Sequence, residues 1–298
     1  MRIVFVGTSA FAVPSLQALV AAGHEVPLVV TQPDRPGHRL RLTPPPVKRA
    51  AEELGLPVFQ PERIREPEAI ERLSAERPEL MVVVAYGQII PRRVLEIPPR
   101  GVINVHASLL PEHRGAAPIA HAIRRGDRLT GVTIMQMDEQ LDHGPVLTRR
   151  EVEIGTHENA AELADRLARL GADLLVETLA RLDEITPQEQ DHARATLAPK
   201  LSREDGELDW DRPAAEIDRA VRAFQPWPGV TLPFAGERVK VLRGRPVPGQ
   251  GRPGEVLGVG DDGVVVAAAE GAYRLEEVQV PGKRPEAASS LVSNRRAG

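Results

Sequence analysis

The chain has 298 residues, with 38 Lys and Arg against 42 Asp and Glu, and no cysteine. The length allows one large domain or two ordinary ones, and the lack of cysteine excludes a disulfide framework, a cysteine-ligated zinc and a thiol nucleophile. It also fits a cytoplasmic setting. The net charge of −4 excludes a uniformly basic nucleic-acid binder, so any such contact must come from local patches.

Twenty-one uncharged residues follow Arg2 and could pass for a secretory leader. The break at Gly7-Thr8 and the interruptions at Pro14 and Gln17 instead predict a buried strand, a turn and a helix. Apolar, often β-branched runs recur at Ile3–Val6, Pro27–Thr31, Leu80–Ala85, Val102–Val105 and Val132–Met135. Helical compositions lie between the earlier runs, at Ser15–Ala22, Val47–Leu54 and Pro67–Ala75. This alternation predicts an α/β domain over residues 1–183: a Rossmann-like, mostly parallel sheet with helices on both faces. Such sheets bind ligands beyond the carboxyl ends of their strands, where the strand order reverses. The clearest helix is Ala160–Leu182, with Leu163, Leu167, Leu170, Leu174 and Leu179 on one stripe. A polar stretch bounded by Pro187 and Pro199 predicts a linker over 184–199. Beyond it, a helix at Pro213–Phe224 precedes five short β runs, at Val230–Phe234, Arg238–Leu242, Gly254–Val259, Gly263–Ala268 and Tyr273–Val280. Asp262-Gly263 is a hairpin signal. These predict a smaller barrel or sandwich over 200–298. No stretch reads as a membrane span.

The chemistry concentrates around GVINVH at 101–106. Asn104 and His106 lie two apart on a strand, hence on one face. An amide donor beside an imidazole suits a developing oxyanion and a proton transfer. A turn-rich loop, SLLPEHRG at 108–115, follows at once, and MDEQLDHG at 137–144 follows a later strand. Asp142 in that second loop is either a turn residue or a carboxylate that hydrogen-bonds His106 and fixes its tautomer.

These three segments, in this order and spacing, resemble the 10-formyltetrahydrofolate-dependent formyltransferase family. The resemblance implies Asn104, His106 and Asp142 as a catalytic trio. It implies a folate side formed by Ser108, Leu109, Leu110, Pro111, Arg114 and Gly115, with Tyr86 and Gly87 from VVVAYGQIIP at 82–91. TQPDRP at 31–36, VKRAAEELGLPVFQP at 47–61, RGAAPI at 114–119, GVTIMQMD at 131–138, KLSREDGELDW at 200–210 and RAFQPWPG at 222–229 are most similar to members that formylate methionine charged on initiator tRNA. The resemblance therefore implies 10-formyltetrahydrofolate as co-substrate, initiator methionyl-tRNA as partner, no metal, a monomer, and an OB-like barrel as the tRNA-binding second domain.

Two basic stretches agree with a nucleic-acid partner. Residues 35–49 hold five Lys or Arg and no acid, and residues 219–252 hold seven against the single acid Glu237. Such segregated charge follows phosphates, and aromatic residues are too few for a stacking platform. The family's tRNA contacts carry over to Arg35, Arg39, Arg41 and Lys200, with Arg243 and Arg245 as basic residues of the second domain. The segment GHRLRLTPPP after Arg35-Pro36 departs from the Gly-rich stretch usual there, though Arg39 and Arg41 keep its charge. Members acting on sugar nucleotides or on glycinamide ribonucleotide, and a related folate hydrolase, share parts of the trio. The basic loop and RGAAPI stand against the sugar-nucleotide members, and the second domain against the glycinamide ribonucleotide ones. A serine hydrolase built on Ser108 lacks a G-x-S-x-G elbow, and Gly7-Thr-Ser-Ala is not a dinucleotide fingerprint. No H-x-x-x-H pair supports a metal enzyme. A non-catalytic RNA-binding module is the rival of a different class. His113, His121 and His143 are assigned no role.

Overall fold

The computed structural model describes residues 1–36 and 42–296. Two compact units make up the chain. One contains residues 1–118, 129–153 and 164–199, and the other contains 119–128, 154–163 and 200–298.

The first unit is built on strands β1 (Ile3–Gly7), β2 (Val29–Val30), β5 (Val58–Phe59), β6 (Leu80–Val84), β7 (Val102–His106), β8 (Leu129–Gln136) and β9 (Val146–Glu153). Their order in the sheet is β5-β2-β1-β6-β7-β8-β9. The pairs from β5 to β7 are parallel; β8 and β9 add antiparallel. Strands β1, β6 and β7 are buried at every position, as their continuous β-branched runs require of strands covered on both faces. A core of Val4, Val6, Leu28, Val30, Leu73, Met81 and Val83 lies on one face. Burying each such side chain contributes about 1.5–3 kcal/mol before the entropy of ordering it. Helices α1 (Val13–Ala21), α2 (Pro46–Glu53) and α3 (Pro67–Ala75) follow the predicted alternation, and α4 (Arg92–Leu95) is one short turn.

Helices α5 (Pro118–Arg125) and α6 (Ala160–Ala180) complete the first half of the chain. A Cβ on Gly171 of α6 would lie 2.9 Å from Val105 Cγ1, so the missing side chain lets the helix backbone approach β7. The predicted stripe is buried at Leu163, Leu167, Leu174 and Leu179 and only half-buried at Leu170; Leu175 takes the core position beside it. Strand β9 is absent from the predicted runs, because TRREVE reads as a polar segment. Its alternating exposure is that of an edge strand with one wet face.

Two short strands, β3 (Arg35–Pro36) and β4 (Leu42–Thr43), pair antiparallel at the base of the basic loop. Arg39 and Arg41 lie outside the described residues.

The second unit carries α7 (Ala214–Ala223), strands β10 (Val230–Phe234), β11 (Glu237–Val247), β12 (Val256–Gly260), β13 (Gly263–Ala267), β14 (Ala272–Gln279) and β15 (Glu286–Ala287), and α8 (Ala288–Arg296). Pro213, expected inside the first turn, is the N-cap of α7. The strands form one antiparallel sheet, β10-β11-β14-β13-β12, with β15 added on β14. Among the described residues β10 and β12 are not paired with each other, so the expected barrel is an open ladder in its hydrogen bonding. The β12–β13 hairpin closes with Gly260 opposite Gly263, so its tip is Asp261-Asp262, one residue before the expected turn.

Candidate active site

The site grows from β7. Asn104 and His106 point to one face and are 8% and 6% exposed. His106 Nε2 lies 2.9 Å from the carbonyl oxygen of His113. A carbonyl only accepts, so Nε2 carries the hydrogen and Nδ1 is the atom left to exchange a proton. Nδ1 faces Asp142 Oδ1 at 3.7 Å, beyond hydrogen-bond length. The tautomer of His106 is therefore set by the His113 carbonyl and not, as the sequence suggested, by a hydrogen bond to Asp142.

Asp142 closes the trio from the loop between β8 and β9. Its Oδ2 accepts the backbone N–H of Gly115 at 2.8 Å, and its Oδ1 faces the Asn104 amide nitrogen at 3.4 Å. The carboxylate thus meets both members of the pair and anchors the 108–115 loop. His113 and Asp142 both have left-handed backbones, φ +58° and +46°. Such conformations cost of order 1–3 kcal/mol each and persist only where neighbours over-determine them.

Those neighbours come mainly from the stretch between the two domains. Gln188 exchanges both backbone hydrogen bonds with Val146, at 2.7 and 2.8 Å. Gln190 is buried; its Nε2 donates to the carbonyls of Asp142 (3.0 Å) and Gly144 (2.7 Å). Its Oε1 accepts from Arg114 Nε and Nη2, at 3.2 and 2.6 Å. His192 takes a further Arg114 Nη2 bond at 2.8 Å and stacks on His143, with ring centroids 3.9 Å apart. His143 in turn pairs with Asp138 at 2.7 Å. Thr196 receives the His113 N–H on its hydroxyl at 2.9 Å and the Arg114 N–H on its carbonyl at 2.8 Å. A Cβ on Gly115 would lie 2.6 Å from the Ala198 carbonyl oxygen, so only glycine, at φ +124°, fits there. Sequence reading missed Gln190, His192 and Thr196, because polar residues in a non-periodic stretch carry no sign of their distant hydrogen-bond partners.

The residues expected on the folate side divide. Ser108 donates its hydroxyl to the Glu112 carbonyl at 2.6 Å, which excludes it as a nucleophile in this geometry. Leu110 is buried, Arg114 is committed to Gln190 and His192, and Leu109, Pro111 and Gly115 are half-buried. Tyr86 is 2% exposed, inside the core cluster, so its ring cannot face a ligand. Burial pushes its phenol up to about 12. What it offers is its carbonyl, which accepts from Thr8 Oγ1 at 2.8 Å and Gln32 Nε2 at 3.3 Å. These bonds sit where β1 and β6 meet, the point at which the strand order reverses. Gly87, at φ +89°, is exposed just beyond them.

The basic residues divide too. Arg35 is exposed near Gln32, at 3.5 Å, and Lys200 is exposed. Arg243 and Arg245 both reach Glu276, Nε to Oε2 at 2.9 Å and Nε to Oε1 at 3.1 Å. Arg243 lies at a register shift in the β11–β14 ladder. The side chains of both arginines stay more than half exposed, so the pair keeps a net positive charge toward solvent.

An amide, an imidazole and a carboxylate are thus gathered at β7, one strand from the switch point of a mostly parallel sheet. Residues 1–179 match the family described as formyl transferase, and residues 200–296 its C-terminal domain. The chain belongs to the formyl transferase family. It is 50% identical to the methionyl-tRNA formyltransferase of Solibacter usitatus, over 99% of this chain and 96% of that protein. It is 48% identical to the methionyl-tRNA formyltransferase of Pseudomonas paraeruginosa, again over 99% and 96%. Among solved structures, HypX from Aquifex aeolicus in complex with tetrahydrofolic acid superposes with a TM-score of 0.68 at 19% identity. That match covers all of this chain and 48% of HypX, so the chain spans about half its length. The sugar 3N-formyltransferase WlaRD gives a TM-score of 0.67 at 15% identity, over 95% of this chain and 99% of WlaRD. Both likenesses describe the fold.

Proposed function

We propose that this chain transfers the formyl group of 10-formyltetrahydrofolate to the α-amine of methionine on initiator tRNA. It acts as a cytoplasmic monomer without a metal. The observation that carries this reading is the extent of the likeness: identity near one half to methionyl-tRNA formyltransferases runs through both family domains, around an intact trio. Residues 1–183 carry the reacting groups, 184–199 lead to the second domain while bracing the site's loops, and 200–298, with Arg35, Arg39, Arg41 and Lys200, hold the tRNA. A folate suits the first unit, where Ile89 and Leu141 are large aliphatic side chains left 85% and 63% exposed. They offer apolar surface to a flat heterocycle near buried polar groups.

In this mechanism the neutral amine forms the new C–N bond to the formyl carbon, and the carbonyl oxygen becomes an oxyanion. The Asn104 amide and the charged His106, through Nδ1–H, stabilise that oxygen. Asp142 accepts from the Asn104 amide and faces the charged imidazole, which the His113 carbonyl holds in place. The bond to the folate nitrogen then breaks, and the proton lost by the amine ends on that nitrogen. No covalent enzyme intermediate is required.

The test is a formyl-transfer assay with 10-formyltetrahydrofolate and three acceptors: methionyl initiator tRNA, methionyl elongator tRNA and a UDP-linked amino sugar. Product on the initiator tRNA alone is expected. Product on the sugar, or none on tRNA, overturns the acceptor.

A further inference from the structure

We propose that Gln190 is a positioning residue for the reaction, one that sets the place of Asp142 through the backbone of the 142–144 loop. The inference rests on the formyl-transfer reading above. Gln190 is 6% exposed, and its single amide meets four groups. Its nitrogen donates to the carbonyls of Asp142 and Gly144, and its oxygen accepts two hydrogens from Arg114. A primary amide is suited to this place, because it has donors on one side and an acceptor on the other.

The bonds join the loop that carries Asp142 to the loop that braces His106. Arg114 follows His113, whose carbonyl fixes His106. Asp142 has a left-handed backbone at φ +46°, and Gln190 holds its carbonyl. The Asp142 carboxylate then returns to the first loop through the Gly115 N–H. The circuit Gln190–Asp142–Gly115–Arg114–Gln190 is closed, and His106 and Asn104 face it. Gln190 touches no reacting atom; it acts through Asp142.

The charge-changing isostere separates the two arms. Gln190→Glu keeps an acceptor for Arg114 but places an oxygen against the Asp142 and Gly144 carbonyls. Gln190→Met keeps the volume and loses both arms. In the initiator-tRNA assay both variants are expected to lower kcat roughly 10²-fold, the scale of a misplaced catalytic group, with KM for either substrate moved less than about threefold. Without any substrate, amide hydrogen exchange at Gly115 is expected to accelerate in both variants, because its acceptor moves. An unchanged kcat, a loss confined to KM, or a kcat loss with unchanged Gly115 exchange overturns the proposal. Failure of both variants to fold overturns it as well, since that assigns Gln190 to the fold. A wild type that transfers nothing refutes the activity proposed above instead, and Gly115 exchange then decides the role of Gln190 by itself.

Discussion

The trio and the arginine pair on β11 use charge in opposite ways. Around His106 and Asp142 the polar atoms are buried or half-buried, and bonded: His113, Gly115, Arg114, Gln190 and Thr196 each have a stated partner. Arg243 and Arg245 share one carboxylate and face solvent. The first arrangement is preorganised, so its interactions cost little reordering when charge develops on a reacting oxygen. The second is a field that salt screens and that tolerates imprecise placement. On the function proposed above, chemistry belongs to positions where one ångström matters, and capture of a polyanion to positions where it does not.

If this contrast holds, damage to the buried side will appear in kcat and damage to the exposed side in KM. The largest effect is expected for Asn104→Ala, which removes an oxyanion donor; such losses cost about 2.7–4 kcal/mol, or two to three orders of magnitude in single-turnover rate. Near-normal turnover would break the contrast at its centre. Next comes Gly115→Ala, which meets the Ala198 carbonyl oxygen at 2.6 Å and a φ of +124°. Strain of about 1–3 kcal/mol is expected, read as a lower unfolding midpoint and reduced activity. On the exposed side, the double variant Arg243→Ala, Arg245→Ala is expected to raise KM for methionyl-tRNA with kcat little changed. The log–log salt dependence of tRNA binding should become shallower by about one for each phosphate left without its arginine. A salt slope equal to that of the wild type would remove these arginines from the interface.

The smallest effect sharpens the boundary between core and site. The Tyr86 hydroxyl is buried without a hydrogen-bond partner among the described residues. Tyr86→Phe removes an unsatisfied group, so stability is expected to hold or rise by up to about 1 kcal/mol, with unchanged kinetics for folate. The folded phenol titrates near 12 against an ordinary 10.0, so the protonated fold is favoured below 10 and that advantage is lost as pH rises through about 12. The wild type should show this loss in urea midpoints and the phenylalanine variant should lack it.

Much of the first unit was legible because its physics is local. Ile3–Gly7, Leu80–Val84 and Val102–His106 are short β-branched runs, and strands buried on both faces look like that. Asn104 and His106 follow from the two-residue repeat of a strand, and the ordered motifs around them carry the family. Strand β9 was not legible, since the consecutive charges Arg149-Arg150-Glu151 hide the alternation. Nor was the hydrogen-bonded role of Gln190, His192 and Thr196, because a glutamine or threonine becomes structural only through partners about 50–80 positions away, such as Asp142, Arg114 and His113. Tyr86 shows the reverse case. A motif placed it on the ligand side, while its ring packs inward and only its carbonyl reaches the strand ends.

The return of residues 188–198 to the 108–115 loop has a consequence for modularity. A gene fragment stopped after Ala180 would encode Asn104, His106 and Asp142, yet not the carbonyl of Ala198 or the side chains of Gln190 and Thr196 that hold their loops. Chimeras that exchange the C-terminal family domain should therefore be cut at Pro199, where the last segment of the first unit ends, because a seam at the end of α6 would remove part of the host's own loop scaffold.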